Sequence, residues 1–123
     1  MSIKEHVVLP VNNVKVKELL VLMYSDDQKF YVTLRTQECN KKRAIKNCRN
    51  RYGHDFEEEF EILAYQNPRN LFHRFKESVR GNSELQDAIT FHRTTFEARI
   101  DIETIKSMFL SLEKTFQERI NAL

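Results

Sequence analysis

The sequence predicts an α+β fold: a small mixed β-sheet with a β-hairpin, a β-α-β unit and a long C-terminal helix. Three observations carry this. Phe30, Val32 and Leu34 alternate with Tyr31, Thr33 and Arg35, the period of a half-buried strand over Lys29–Arg35. Cys39–Tyr52 then changes to helical spacing, and Glu58–Tyr65 returns to alternation, with Phe60, Ile62 and Ala64 on one side. Two strands joined by a helix of that length are most easily parallel, with a right-handed crossover.

The remaining elements are placed around this unit. Met1–Asn13, with Val7, Val8 and Leu9 followed by Pro10, reads as an N-terminal arm, and residues 14–123 as one domain. Leu19 to Met23 is an unbroken apolar run, so Val14–Tyr24 is expected as a strand buried on both faces. A helix over Lys15–Met23 is the alternative. The turn residues Ser25, Asp26, Asp27 and Gln28, with a strand directly after them, favour a hairpin.

On the first helix Ala44, Ile45, Cys48 and Tyr52 share one arc, with Lys41 at its edge. Lys42, Arg43, Lys46 and Arg49 share the opposite arc, and Gly53 is a natural stop. A second helix is expected at 68–80, with Asn67 as cap, Pro68 in the first turn and Gly81 at the end. Its apolar side is Leu71, Phe72, Phe75 and Val79, and Arg69, His73, Lys76 and Arg80 form a basic stripe. If both helices pack on one sheet face, the two basic stripes merge.

Glu84–Arg99 is rich in Thr and Phe and reads as a hairpin of Ala88–His92 and Thr95–Arg99, with a continuing helix as the alternative. Asp101 then caps a helix of about 101–121. Ile102, Ile105, Phe109, Leu112 and Phe116 repeat along it at 3-4-3-4 spacing. That stripe serves either a core helix or a self-association seam through Ile105, Phe109, Leu112 and Phe116.

The whole-chain charge of +2 hides a polar arrangement. Arg35 to Arg51 holds seven basic residues and one acid, whereas Asp55 to Glu61 holds five acids and no base. No apolar run is long enough to span a bilayer, and Met1–Pro10 lacks a signal-peptide pattern. Two cysteines, Cys39 and Cys48, without a CxxC spacing suggest free thiols in a reducing compartment, so an intracellular site is expected, in host cytoplasm or nucleus.

The search for catalytic chemistry finds little. His6, His54, His73 and His92 stand apart, Gly53 and Gly81 form no phosphate-cradling loop, and Glu57-Glu58-Glu59 lacks an aspartate partner for a divalent metal. No cofactor and no metal is expected, and the enzyme question leans to no. Tyr24 and Tyr31 before an Arg-bearing helix faintly resemble GIY-YIG nucleases, but the glycines of that motif are missing. Nucleic-acid binding is the more specific reading, because clustered Lys and Arg gain affinity from counterion release on phosphates. Its candidates are Arg35, Lys42, Arg43, Lys46 and Arg49, then Arg69, His73, Lys76 and Arg80, with Tyr31, Tyr52 and Tyr65 as stacking surfaces if exposed. The opposing reading is a solvated basic face neutralised by Asp55–Glu61.

Three successive segments carry a family resemblance: Lys29-Phe30-Tyr31-Val32-Thr33-Leu34-Arg35-Thr36-Gln37, the basic helix Asn40–Tyr52, and Tyr65-Gln66-Asn67-Pro68-Arg69-Asn70-Leu71-Phe72-His73-Arg74-Phe75-Lys76-Glu77. Over roughly residues 16–80 the chain resembles the C-terminal domain of the Bro-like and KilA-N-like proteins of large insect DNA viruses. The resemblance implies a viral accessory domain rather than an enzyme. In that family a DNA-binding module usually precedes this domain, and the chain has no room for it. The resemblance therefore also implies an alternative: an interaction or homodimerisation domain acting on a host or viral protein through the last helix and an exposed sheet edge.

Overall fold

The computed structural model describes residues 18–64 and 67–122, with side chains to 119; the N-terminal arm and Tyr65 lie outside the described residues. Strands β1 (Glu18–Ser25) and β2 (Phe30–Gln37) form the expected hairpin. Helix α1 (Lys41–Tyr52) leads to β3 (Glu57–Leu63), and α2 (Pro68–Arg80) to a short α3 (Ser83–Ala88). A second hairpin, β4 (Ile89–Phe91) and β5 (Thr95–Ala98), precedes α4 (Ile102–Ala122).

The five strands lie in the order β3-β1-β2-β5-β4, and every ladder is antiparallel. The expected parallel pair exists in direction but not as a ladder. β2 and β3 both run antiparallel to β1, which stands between them, so the sheet is not mixed. The cause is β1 itself: Leu19, Leu20, Val21, Leu22 and Met23 are all buried, and such a strand must be interior.

Alternation along β1 divides the core in two. Leu20 and Leu22 pack with Leu71, Phe75 and Val79 of α2 and with Ile105 and Phe109 of α4. Leu19, Val21 and Met23 pack with Val32, Phe56 and Cys48, and with the half-buried Ile45 and Tyr52 of α1. Thus α1 covers one face of the sheet, while α2 and α4 cover the other. β2 departs from the expected half-buried strand, because Tyr31 and Val32 are both buried, one in each layer.

Local chemistry sets the element ends. The Asn67 side chain accepts from the Asn70 N–H at 3.0 Å, with Pro68 in the first turn, where a missing N–H costs nothing. Asn82 caps α3 by accepting from Glu84 and Leu85 N–H groups at 3.0 and 3.3 Å. This helix occupies the residues before the expected hairpin, and β4 begins at Ile89, one residue after the expected start.

The turn before β2 is fastened to the turn after α1. Ser25 is fully buried, its hydroxyl donates to Asp55 Oδ2, and its oxygen accepts from Gln28 N–H at 2.9 Å. The Gln28 amide donates to Tyr52 O at 3.0 Å. Gly53 sits inside this clasp at φ +144°, where a Cβ would meet Asp55 Oδ1 at 2.5 Å and Gln28 Nε2 at 2.8 Å.

The Ser25 hydroxyl, and then the Gln28 amide, hold the Asp55 carboxyl below its ordinary value of 3.8. A depressed carboxyl stabilises the fold above its unfolded pKa, and the contribution is lost as pH falls through the folded value. Ser25→Ala should therefore move the Asp55 titration, followed by NMR, back up toward 3.8. It should also lower the urea midpoint at neutral pH, with the gap to the parent narrowing in acid.

Candidate nucleic-acid interface

Arg35 belongs to a different group from the one its sequence position suggests. On β2 it stands opposite Leu20, so its side chain is on the α2 face and not the α1 face. There it lines a cleft of about 170 Å³ with Thr33, Arg69, Phe72, His73, Lys76, Arg93 and Thr94. No carboxylate lines it. A larger hollow beside it, about 480 Å³, shares Arg35 and Arg69 and is also lined by Glu18, Thr36, Gln37, Asn67 and Pro68, so it includes one carboxylate.

Each wall has a local reason. Arg69, His73 and Lys76 recur at helical spacing on α2, whose apolar side is fixed in the core by Leu71, Phe75 and Val79. The Lys76 ammonium rests over the Phe72 ring at 4.9 Å and the Phe91 ring at 5.8 Å, which holds it at the rim. Arg93 sits between β4 and β5, and the Thr33 N–H and hydroxyl both donate to Thr94 O at 2.9 Å, tying that turn to β2. Arg93 is absent from the sequence-based candidates. Its place depends on β5 pairing with β2, which no local pattern announces.

Arg80 does not join the cleft. It lies eleven residues along α2 from Arg69, about 16 Å at the helical rise. His73 has an acidic neighbour one turn on, with Glu77 at 3.5 Å, both side chains exposed.

The α1 residues form a separate patch on the opposite face. Lys42, Ile45, Lys46, Arg49, Asn50 and His54 line a shallow depression of about 390 Å³. Arg43 is exposed on the same helix but does not line it. The merged basic surface is therefore not formed, because the sheet stands between the two stripes.

The acids of Asp55–Glu61 do not lie across this patch. Lys41 takes Glu58 at 2.9 Å and Glu61, and these two hydrogen bonds hold its ammonium above the usual lysine value. A register shift in the β1–β3 ladder at Glu59, between Glu58 and Phe60, aims Glu58 and Glu61 at α1 together. Arg49 is partly engaged, its Nε donating to Phe56 O at 2.9 Å. Among the described residues no carboxylate pairs with Lys42, Arg43 or Lys46.

Of the aromatic candidates, Tyr65 lies outside the described residues, and Tyr31 and Tyr52 are packed within the fold. Tyr31 is buried against Phe96, ring centroids 4.9 Å apart, and burial pushes its hydroxyl up to about 12. Tyr52 packs edge-on against Phe30 at 6.1 Å. Cys48 is buried, which raises its thiol, and Cys39 is exposed. Among the described residues no group of three or more His, Cys, Asp or Glu could hold a metal ion, and no helix is long and apolar enough to cross a membrane.

Half of the expected dimer seam is spent within the monomer. Ile105 and Phe109 are fully buried, with the Phe109 ring stacked on Phe75 at 4.3 Å. Leu112 and Phe116 are half-buried, and Leu110, on another side of α4, is 53% exposed. A 3-4-3-4 stripe specifies an apolar neighbour but not whether it belongs to the same chain.

The family model for a protein of unknown function (DUF3627) matches residues 1–88. The chain belongs to this family. No curated protein and no solved structure matches the chain. The family match runs to the end of α3, so it includes Arg35 and the α2 stripe, while Arg93, the second hairpin and α4 lie beyond it.

Because the α4 stripe faces inward, Phe109→Asp should unfold the protein rather than release monomers. The cost should exceed about 3 kcal/mol, from a lost aromatic and a buried charge. Leu110→Asp on the exposed side should stay within about 0.5 kcal/mol of the parent. Urea unfolding with light scattering on both variants checks the contrast.

Proposed function

We propose that this chain is a non-enzymatic binding module that contacts nucleic-acid phosphates through the cleft between β2 and α2. The observation that carries the reading is the lining: Arg35, Arg69, His73, Lys76 and Arg93 converge on one cleft with no carboxylate among them. A concave cluster of cations releases condensed counterions when it takes up phosphates. Three of the lining residues are Arg, whose guanidinium groups suit paired hydrogen bonds to phosphate oxygens.

Contacts of this kind position a backbone and read no sequence. The aromatic rings near the cleft are packed into the core, so base stacking adds little. The module is accordingly a low-specificity binder of duplex or single strand. Its resemblance to the insect-virus domains supports reading it as a viral accessory protein acting inside the host cell.

Retardation of DNA at low salt tests this. The parent should shift both duplex and single strand, and lose affinity steeply as salt rises. Arg69→Glu with Arg93→Glu, both exposed positions, should flatten the log–log salt dependence on duplex by about two units, roughly one per lost contact. Unchanged affinity in that variant, with its circular dichroism intact, would remove the cleft from the binding surface.

A further inference from the structure

Resting on the cleft reading, we infer that the domain joins two separate nucleic-acid segments, one on each face of its sheet. The second surface is the α1 patch of Lys42, Lys46, Arg49, Asn50 and His54, which also has no carboxylate in its lining. Lys42 and Lys46 are exposed and carry no ion pair among the described residues.

Geometry separates the two surfaces. α1 packs on the face of Leu19, Val21 and Met23, and α2 on the face of Leu20 and Leu22. A helix with its side chains is about 10 Å across, so the outer arcs of two helices on opposite faces lie more than about 20 Å apart. The sheet is between them, and no straight segment touches both.

Charge then opposes one strand wrapping from face to face. The β3 edge of the sheet carries Glu57, Glu58, Glu59 and Glu61, all exposed. At the other edge Glu97 is held by His92 at 3.0 Å, and Arg93 and Arg99 stand in or beside the same hairpin, so the acidic barrier is at the β3 edge. A phosphate backbone crossing the β3 edge meets carboxylates. Two ligands, each kept to its own face, satisfy this distribution. The acids gathered on β3 also explain how a chain of net charge +2 carries two cationic surfaces.

Two weak sites on one rigid domain act together through effective concentration, so the second segment is held once the first is bound. The expected activity is bridging: looping within one long molecule, or pairing of two.

The test uses one short DNA duplex fixed on beads and a second, fluorescent duplex of unrelated sequence. The parent chain should capture the fluorescent duplex on the beads, and excess unlabelled duplex should reverse this. Lys42→Glu with Lys46→Glu should cut capture by about tenfold or more while weakening retardation of a single duplex only about threefold. Lys42→Gln with Lys46→Gln gives the same comparison should the double reversal disturb the circular dichroism. A parent chain that retards single duplexes but captures no second one overturns bridging and leaves the cleft reading standing. Capture that persists in both α1 variants also overturns it, since the chain would then be joining duplexes by pairing with itself. A parent that retards no duplex removes the cleft reading and bridging together.

Discussion

The fold depends on one strand that tolerates water on neither face. Leu19 to Met23 are five successive side chains, each at most 3% exposed. Stripping α1 away would uncover Leu19, Val21 and Met23, a loss of roughly 5–9 kcal/mol by apolar burial. That rivals the whole stability of an ordinary domain, about 5–15 kcal/mol. The strand therefore requires a helix layer above and below and a paired neighbour on each side. β2 and β3 fill the flanking positions, and α1 on one face with α2 and α4 on the other fill the layers.

The distribution of charge follows from that layering. A helix that buries one arc against a sheet must turn its polar arc outward. With α1 and α2 on opposite faces, their basic arcs point in opposite directions. α2 is more constrained than α1, because its apolar side meets both the sheet and α4, with Phe75 against Phe109 and Phe96 at 4.3 and 5.6 Å. Its basic residues therefore stand on a rigid support beside β2, whereas those of α1 stand on an outer surface. A cleft with a rigid wall fixes its cations before the ligand arrives, which lowers the ordering cost of binding.

Local structure was largely legible in the residues, and assembly was not. The β1–β2 hairpin, α1, β3, α2 with its Asn67 cap and Pro68, the second hairpin and α4 all lie close to where period and capping residues put them. The short α3 was missed although Asn82 caps it, because six residues are too few to show a helical period. Strand order was beyond reach. That β1 enters between β2 and β3, and that β5 docks on β2, are pairings between distant segments, which alternation within a strand does not encode. The site inherited that gap. Arg35 was grouped with the helix that follows it in sequence rather than the one beside it in space, and Arg93 was passed over in a turn.

The acidic run follows the basic helix closely in sequence, yet it neutralises little of it. Glu58 and Glu61 both close on Lys41, a half-buried residue at the start of α1. These pairs are a third or so exposed, and contacts of that kind contribute at most about 1 kcal/mol. Their larger effect is on an exposed sheet edge. Among the described residues β3 is an outer strand, and four glutamates along it deter another strand from pairing there. Carboxylates on an edge leave the faces of the sheet open to anions, while carboxylates across a face would close it. Thus the position of the acids relative to the sheet, rather than the sum of charges, decides whether this chain can hold a polyanion.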